Sequence, residues 1–161
     1  HMDVQAYDPF AISFPRGIRP VAELNELFGT SDIVSLHLPL TSGTRGIINE
    51  AALDRFKPGA ILVNTSRGPL VDEAALHRAL QSGRLRGAGI DVWDPEPPAA
   101  DNPLLRTTGV VATPHMAAFT AEGRRRSHTT AASQVVQVLN GERPPLLLNP
   151  DVWARRRSFH R

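Results

Sequence analysis

Short apolar runs alternate along the chain with stretches whose apolar residues recur every three or four positions. Residues 4–7 (VQAY), 32–38 (DIVSLHL), 60–64 (AILVN), 87–92 (GAGIDV) and 109–113 (GVVAT) read as strands. Helices are expected between them. Residues 20–28 place Val21, Leu24, Leu27 and Phe28 on one face, with Pro20 near the start. Asn49 is placed to cap a short helix over 50–56, closed by Lys57-Pro58-Gly59. Asp72 is placed to cap a helix over 73–82, with Leu76 and Leu80 at i and i+4 and Gly83 as its stop. Thr120 opens a long helix to residue 140, with Ala132, Val135, Val136 and Leu139 as its packing stripe and Gly141 beyond its end.

Strands alternating with helices of about ten residues predict an α/β fold built on a parallel sheet with both faces covered. Ligands of such sheets sit beyond the carboxyl ends of the strands. That singles out the polar residues just after the runs: Asp8, His37, Ser66-Arg67, Asp91 and His115. There are no internal repeats, and the Pro- and Arg-rich chain after Pro144 reads as irregular.

Composition narrows the classes. At 161 residues, 41% hydrophobic and 21% charged, the chain has the size and make-up of one globular domain. It has no cysteine, which excludes a disulfide framework, a thiolate metal site and a thiol nucleophile. No apolar run approaches the ~20 residues of a membrane span and no signal-peptide pattern opens the chain, so the expected compartment is the cytoplasm, with no membrane partner. Lys57 is the sole lysine in a chain of net charge +2. Arg124-Arg125-Arg126 and Arg155-Arg156-Arg157 read as a solvated face and a loose tail; no aromatics are interleaved with them, so no nucleic-acid partner is expected.

Three strand exits offer catalytic residue types. Arg67 stands where a hydrophobic strand stops, a costly place for a cation unless an anion meets it. In "GIDVWDPEPP", Asp94 and Glu96 each precede a proline, which pushes both toward extended backbone and makes a stiff, non-helical arm. From spacing alone, a surface loop with its acids in water accounts for the same residues. His115 follows Pro114 at the exit of "VVATP", and an imidazole moves protons near neutral pH. Arginine grips a carboxylate with two parallel hydrogen bonds, and a glutamate can hold a histidine's other nitrogen.

At this point a resemblance becomes specific. "YDPF", "SLHLPLTSGTRGIIN", "FKPGAILVNTSRGPLVDEAAL", "GAGIDVWDPEP", "NPLL" and "TPHMAAFTAE", in this order over residues 4–141, resemble the NAD-dependent D-2-hydroxyacid dehydrogenases, which include glyoxylate/hydroxypyruvate reductases and 3-phosphoglycerate dehydrogenases. The resemblance implies a Rossmann-like doubly wound sheet, hydride transfer between NAD(H) and a small 2-hydroxy or 2-keto acid, and a homodimer. It implies that Arg67 binds the substrate carboxylate, with Glu96 and His115 as the acid/base pair. It implies that Asp8 binds the adenosine ribose and favours NAD over NADP. His37 and Pro39 would line the adenine pocket with Thr44 in the adjoining loop. Thr65, Ser66 and Asp91 would serve the nicotinamide end. No metal is implied. Residues 1–118 would form the carboxyl-terminal part of the NAD-binding domain, 119–141 a crossover helix, and 142–161 a tail of the substrate domain.

The sequence departs from that pattern chiefly in what it lacks. It contains no G-x-G-x-x-G, the loop that cradles a dinucleotide pyrophosphate about 20 residues before the ribose acid. The expected sheet is therefore incomplete, without its first strand and glycine loop, and a chain about twice as long is expected, with little NAD(H) affinity in these 161 residues alone. Whether His1-Met2 are native stays open. Ala118 replaces a common glycine, and Trp93 a common phenylalanine. Glu96 is not the glutamine of a formate dehydrogenase. A regulatory, corepressor-like NAD(H)-sensing role on the same scaffold is one alternative reading; the other is an inactive fragment, with no turnover by these 161 residues alone.

Overall fold

One strand organises the sheet. β4 (Ala60–Asn64) buries Ala60, Leu62 and Asn64, with Ile61 and Val63 half-buried between them. Such near-continuous burial is the mark of a central parallel strand covered on both faces. β4 pairs in parallel with β3 (Ile33–Leu36) on one side and β5 (Leu85–Ile90) on the other. β5 pairs in parallel with β6 (Val110–Ala112), giving the order β3-β4-β5-β6. All four strands therefore end on one edge, and the polar residues after them emerge together. Residues 2–156 are described in this computed structural model; His1 and Arg157, the last of the second arginine run, lie outside the described residues.

The connections carry the helices. α1 (Leu24–Thr30) precedes β3, α2 (Glu50–Leu53) joins β3 to β4, and α3 (Glu73–Gln81) joins β4 to β5. The expected caps form: Asn49 accepts from the Ala52 amide, Asp72 from that of Ala75, and Thr120 from that of Gly123 at the start of α4 (Ala121–Leu139). Each satisfies a helix-start N–H that has no partner within the helix. α3 buries Ala75, Leu76 and Ala79, and the rings of Phe28 and Phe56 stack with centroids 4.6 Å apart beside them in one core. The α/β fold and parallel sheet expected from the alternation of runs are present.

Several details differ. Pro20 does not start a helix; it ends β2 (Ile18–Pro20), which pairs in parallel with β1 (Val4–Ala6) as a separate two-stranded ladder. The Val21 amide extends that ladder by donating to the Ala6 carbonyl at 3.0 Å, so helical turns begin only after Glu23. Val111, expected in a buried strand, is 68% exposed because β6 is the sheet edge. The expected packing stripe of α4 is uncovered: Val135, Val136 and Leu139 are each more than half exposed. α4 lies in a second compact unit, Ala117–Arg161, whose other described element is a 3-10 turn at Pro150–Arg155. Among its described residues, that unit offers the stripe no further α-helix or sheet to pack on.

The exits of β4 and β5 touch more closely than side chains allow. A Cβ built on Gly68 would lie 2.0 Å from the Trp93 carbonyl oxygen and 2.8 Å from its Cα. Only glycine fits, because the obstacle is backbone and cannot turn aside. Gly68→Ala is expected to destabilise the fold by about 3 kcal/mol or more in urea melts. Leu62→Ala, at a fully buried site, should cost about 2–5 kcal/mol, and Val111→Ala less than about 1 kcal/mol. Equal losses for Leu62→Ala and Val111→Ala would contradict this layering.

Candidate active site

The β4 exit turns on the side chain of Asn64, which is buried. Its amide nitrogen donates to the Arg67 carbonyl at 2.9 Å, and its Oδ1 accepts from the Ser66 amide at 3.1 Å. Ser66 Oγ donates to the Leu38 carbonyl at 2.7 Å, tying this turn to the β3 exit. Thr65 and Ser66 therefore sit on a fixed loop. Arg67 is exposed; its guanidinium donates to the Ser66 carbonyl at 2.6 Å and makes no ion pair among the described residues. A cation thus stands without a counter-ion at the edge where ligands of parallel sheets bind.

The β5 and β6 exits meet at Asp91, 2% exposed. Its amide donates to the Asn64 carbonyl at 3.0 Å, and its carbonyl accepts from the His115 amide at 2.8 Å. Its Oδ1 accepts from Thr113 Oγ1 at 2.5 Å and from the Met116 amide at 2.8 Å. These bonds hold His115 at φ 53, the left-handed region. A non-glycine residue there costs about 1 kcal/mol or more and persists only where its surroundings enforce it. Asp91 is expected from the sequence as a cofactor contact; what the structure shows is Asp91 building the turn that presents His115.

Beyond Asp91 the chain buries Trp93, whose indole Nε1 donates to the Thr113 carbonyl at 3.1 Å. The Asp94–Pro95 and Glu96–Pro97 peptide bonds are cis. The arm brings Glu96 back to the β6 exit, where Glu96 Oε1 lies 2.5 Å from His115 Nδ1. Nδ1–H donating to that carboxylate fixes the ring's tautomer and orientation and leaves Nε2 as its outward nitrogen. The two side chains remain 40% and 50% exposed, open to a small molecule.

The remaining named residues fall into two groups. His37 and Pro39 follow β3 and are exposed; His37 Nε2 bonds Ser35 Oγ at 2.8 Å. Thr44 Oγ1 donates to the Pro39 carbonyl at 2.7 Å and accepts from the Thr41 amide at 2.8 Å, so it shapes this loop rather than pointing free. Asp8 follows β1, in the separate ladder, and its Oδ1 accepts from the Phe10 amide at 2.9 Å. The structure thus unites Glu96 with His115, and sets Arg67 on the neighbouring exit through the Gly68–Trp93 contact. Asn64 and Gly68 were not singled out from sequence. The signal for Gly68 was available, since a Gly-Pro directly after a buried strand marks a forced turn. Among the described residues no group of three or more His, Asp or Glu could hold a metal ion, and no helix is long and apolar enough to cross a membrane.

Comparison with known proteins identifies the family. Residues 1–117 match the family model described as "D-isomer specific 2-hydroxyacid dehydrogenase, NAD binding domain". The chain is 42% identical over 144 residues to D-3-phosphoglycerate dehydrogenase of Methanocaldococcus jannaschii, covering 88% of this chain and 27% of that protein. It is 45% identical over 130 residues to glyoxylate reductase of Thermofilum pendens, covering 81% of this chain and 38% of that protein. A crystal structure of D-lactate dehydrogenase with NAD+ from Lactobacillus jensenii superposes with a TM-score of 0.82 at 29% identity, covering 91% of this chain and 48% of that one. The chain spans well under half the length of these curated relatives. By its family model, its fold and the motifs at its strand exits, the chain belongs to the D-isomer specific 2-hydroxyacid dehydrogenase family, in the NAD-binding domain.

Proposed function

We propose that this chain supplies the catalytic half of an oxidoreductase that transfers a hydride between NAD(H) and a small 2-hydroxy or 2-keto acid. The observation that carries this is the 2.5 Å contact between His115 Nδ1 and Glu96, on strand exits next to the one bearing Arg67, which makes no ion pair among the described residues. When bound, the dinucleotide supplies the hydride. Arg67 grips the substrate carboxylate and polarises the adjoining carbonyl. His115 Nε2 gives a proton to the forming alkoxide oxygen in reduction, and removes one from the hydroxyl in oxidation. Glu96 keeps Nε2 facing the substrate by holding Nδ1.

The residues present fit part of the dinucleotide. Asp8 uses Oδ1 on the Phe10 amide, leaving Oδ2 for the vicinal hydroxyls of a ribose, and its charge disfavours a 2′-phosphate. His37, Pro39 and Thr44 would border the adenine side. Thr65, Ser66 and Asp91 would hold the nicotinamide end. The 161 residues contain no G-x-G-x-x-G, so they offer no phosphate cradle of that type. In this reading residues 1–118 are the carboxyl-terminal part of the dinucleotide domain, 119–141 a crossover helix, and 142–161 part of a substrate domain. The whole protein is a cytoplasmic homodimer.

The test is NADH oxidation by the intact protein with glyoxylate, hydroxypyruvate or phenylpyruvate. Arg67→Ala should lower kcat/KM by roughly a hundred- to a thousandfold, much of it through KM, because it removes two charge-assisted hydrogen bonds. His115→Gln should lower kcat by about a hundredfold or more, with less effect on KM. Unchanged turnover in both variants would reject the assignment. A wild type inert toward every 2-keto acid would favour a regulatory role for the scaffold.

A further inference from the structure

The carboxylate that meets His115 is borne on a proline arm, so something must fix the arm. Among the described residues, side-chain bonds join residues 94–102 to His115, Arg45 and Glu73, and to the Leu104 amide just beyond them. The Arg45–Asp94 pair is exposed and long, 3.5 Å, and holds weakly. Glu73 makes two bonds. Its Oε1 accepts from the Asp94 amide at 3.0 Å, and its Oε2 accepts from Asn102 Nδ2 at 2.6 Å. One carboxylate therefore grips both feet of the arm, with Glu96 on the loop between them.

Glu73 is well founded for this. It is the first residue of α3, directly after the Asp72 cap, and α3 is anchored in the core by Ala75, Leu76 and Ala79. Asn102 cannot simply turn over to suit another partner, because its Oδ1 already accepts from the Leu104 amide at 3.0 Å. Behind Asp94 the arm has no slack, since the Trp93 backbone is pressed against Gly68.

We propose that Glu73 is a positioning residue: it braces the arm so that Glu96 meets His115 Nδ1, touching neither substrate nor cofactor itself. This rests on the reading of Glu96 and His115 as the proton-transfer pair. The chemistry predicts an unusual rescue. Glu73→Gln keeps one acceptor for the Asp94 amide but sets its own NH2 against the Asn102 NH2, two donors face to face. Adding Asn102→Asp turns the second contact round: the glutamine NH2 donates to the new carboxylate, which can still accept from the Leu104 amide. Asn102→Asp alone sets two carboxylates together and opens the same foot.

The experiment uses the intact protein and two readouts. Ring-nitrogen NMR shifts report which nitrogen of neutral His115 carries the proton; kcat and KM with a 2-keto acid report catalysis. Wild type should hold the Nδ1–H form, and Glu96→Ala should lose it. Glu73→Gln should give mixed tautomers and lower kcat by about ten- to a hundredfold, with KM moving less than about threefold. Circular dichroism should be unchanged. Glu73→Gln with Asn102→Asp should restore both the tautomer and kcat. A wild-type tautomer and kcat in Glu73→Gln, or a double variant no better than the singles, would overturn the proposal. A helix-start role alone gives no rescue at Asn102. If Glu73→Gln does not fold, Asn102→Ala removes one foot and should loosen the tautomer in the same way; an unaltered tautomer there would also overturn it. An intact protein that turns over no 2-keto acid defeats the enzymatic reading, and the tautomer then decides the brace by itself.

Discussion

The geometry of this edge depends on Asp91. Its amide ties β5 to the Asn64 carbonyl, its own carbonyl takes the His115 amide, and Oδ1 takes Thr113 and Met116. A buried carboxyl group is expensive unless its lone pairs are used, and these are used on the β6 exit. The same bonds that offset its burial press His115 into left-handed backbone. Strand pairing alone would bring the exits of β4, β5 and β6 side by side; Asp91 converts neighbouring exits into one rigid shelf.

Around that shelf, position is enforced by contacts that tolerate little change. Gly68 has no room for a methyl group, so the Arg67 loop and the Trp93 backbone have one mutual spacing. Asn64 satisfies the Ser66 amide and the Arg67 carbonyl from within the core. These groups belong to the chain's own packing and are in place before any ligand arrives. Such preorganisation suits the proposed acid/base chemistry, since ordering a site on binding subtracts from affinity. The exposed faces of Arg67, Glu96 and His115 are the part left for a ligand to use.

Much of this was legible in the sequence, for reasons specific to each element. The β4 run and the capped α3 are local patterns, where periodicity and a capping side chain act within a few residues. Pro20 misled because its fixed φ suits a helix start and a strand end alike, and the distant Ala6 carbonyl decided the matter. The α4 stripe has helical periodicity, but periodicity does not say what covers a face. Glu96 and His115 stood out as catalytic types at strand exits, and the family likeness implied their pairing; their contact joins residues 19 apart. Glu73 went unnoticed because its partners, Asp94 and Asn102, lie more than twenty positions away and no local pattern records them; for Gly68 the Gly-Pro marks a turn but not the distant Trp93 backbone that forbids a side chain.

The central claim is that three neighbouring strand exits form one anion-gripping, proton-transferring site. A crystal structure of the intact protein with NAD and oxamate, an unreactive 2-keto acid mimic, tests it most directly. The account predicts the oxamate carboxylate on the Arg67 guanidinium and its carbonyl oxygen within hydrogen-bond reach of His115 Nε2, with Glu96 still on Nδ1. Oxamate bound with its carboxylate away from Arg67, or His115 turned off Glu96 in the complex, would contradict it.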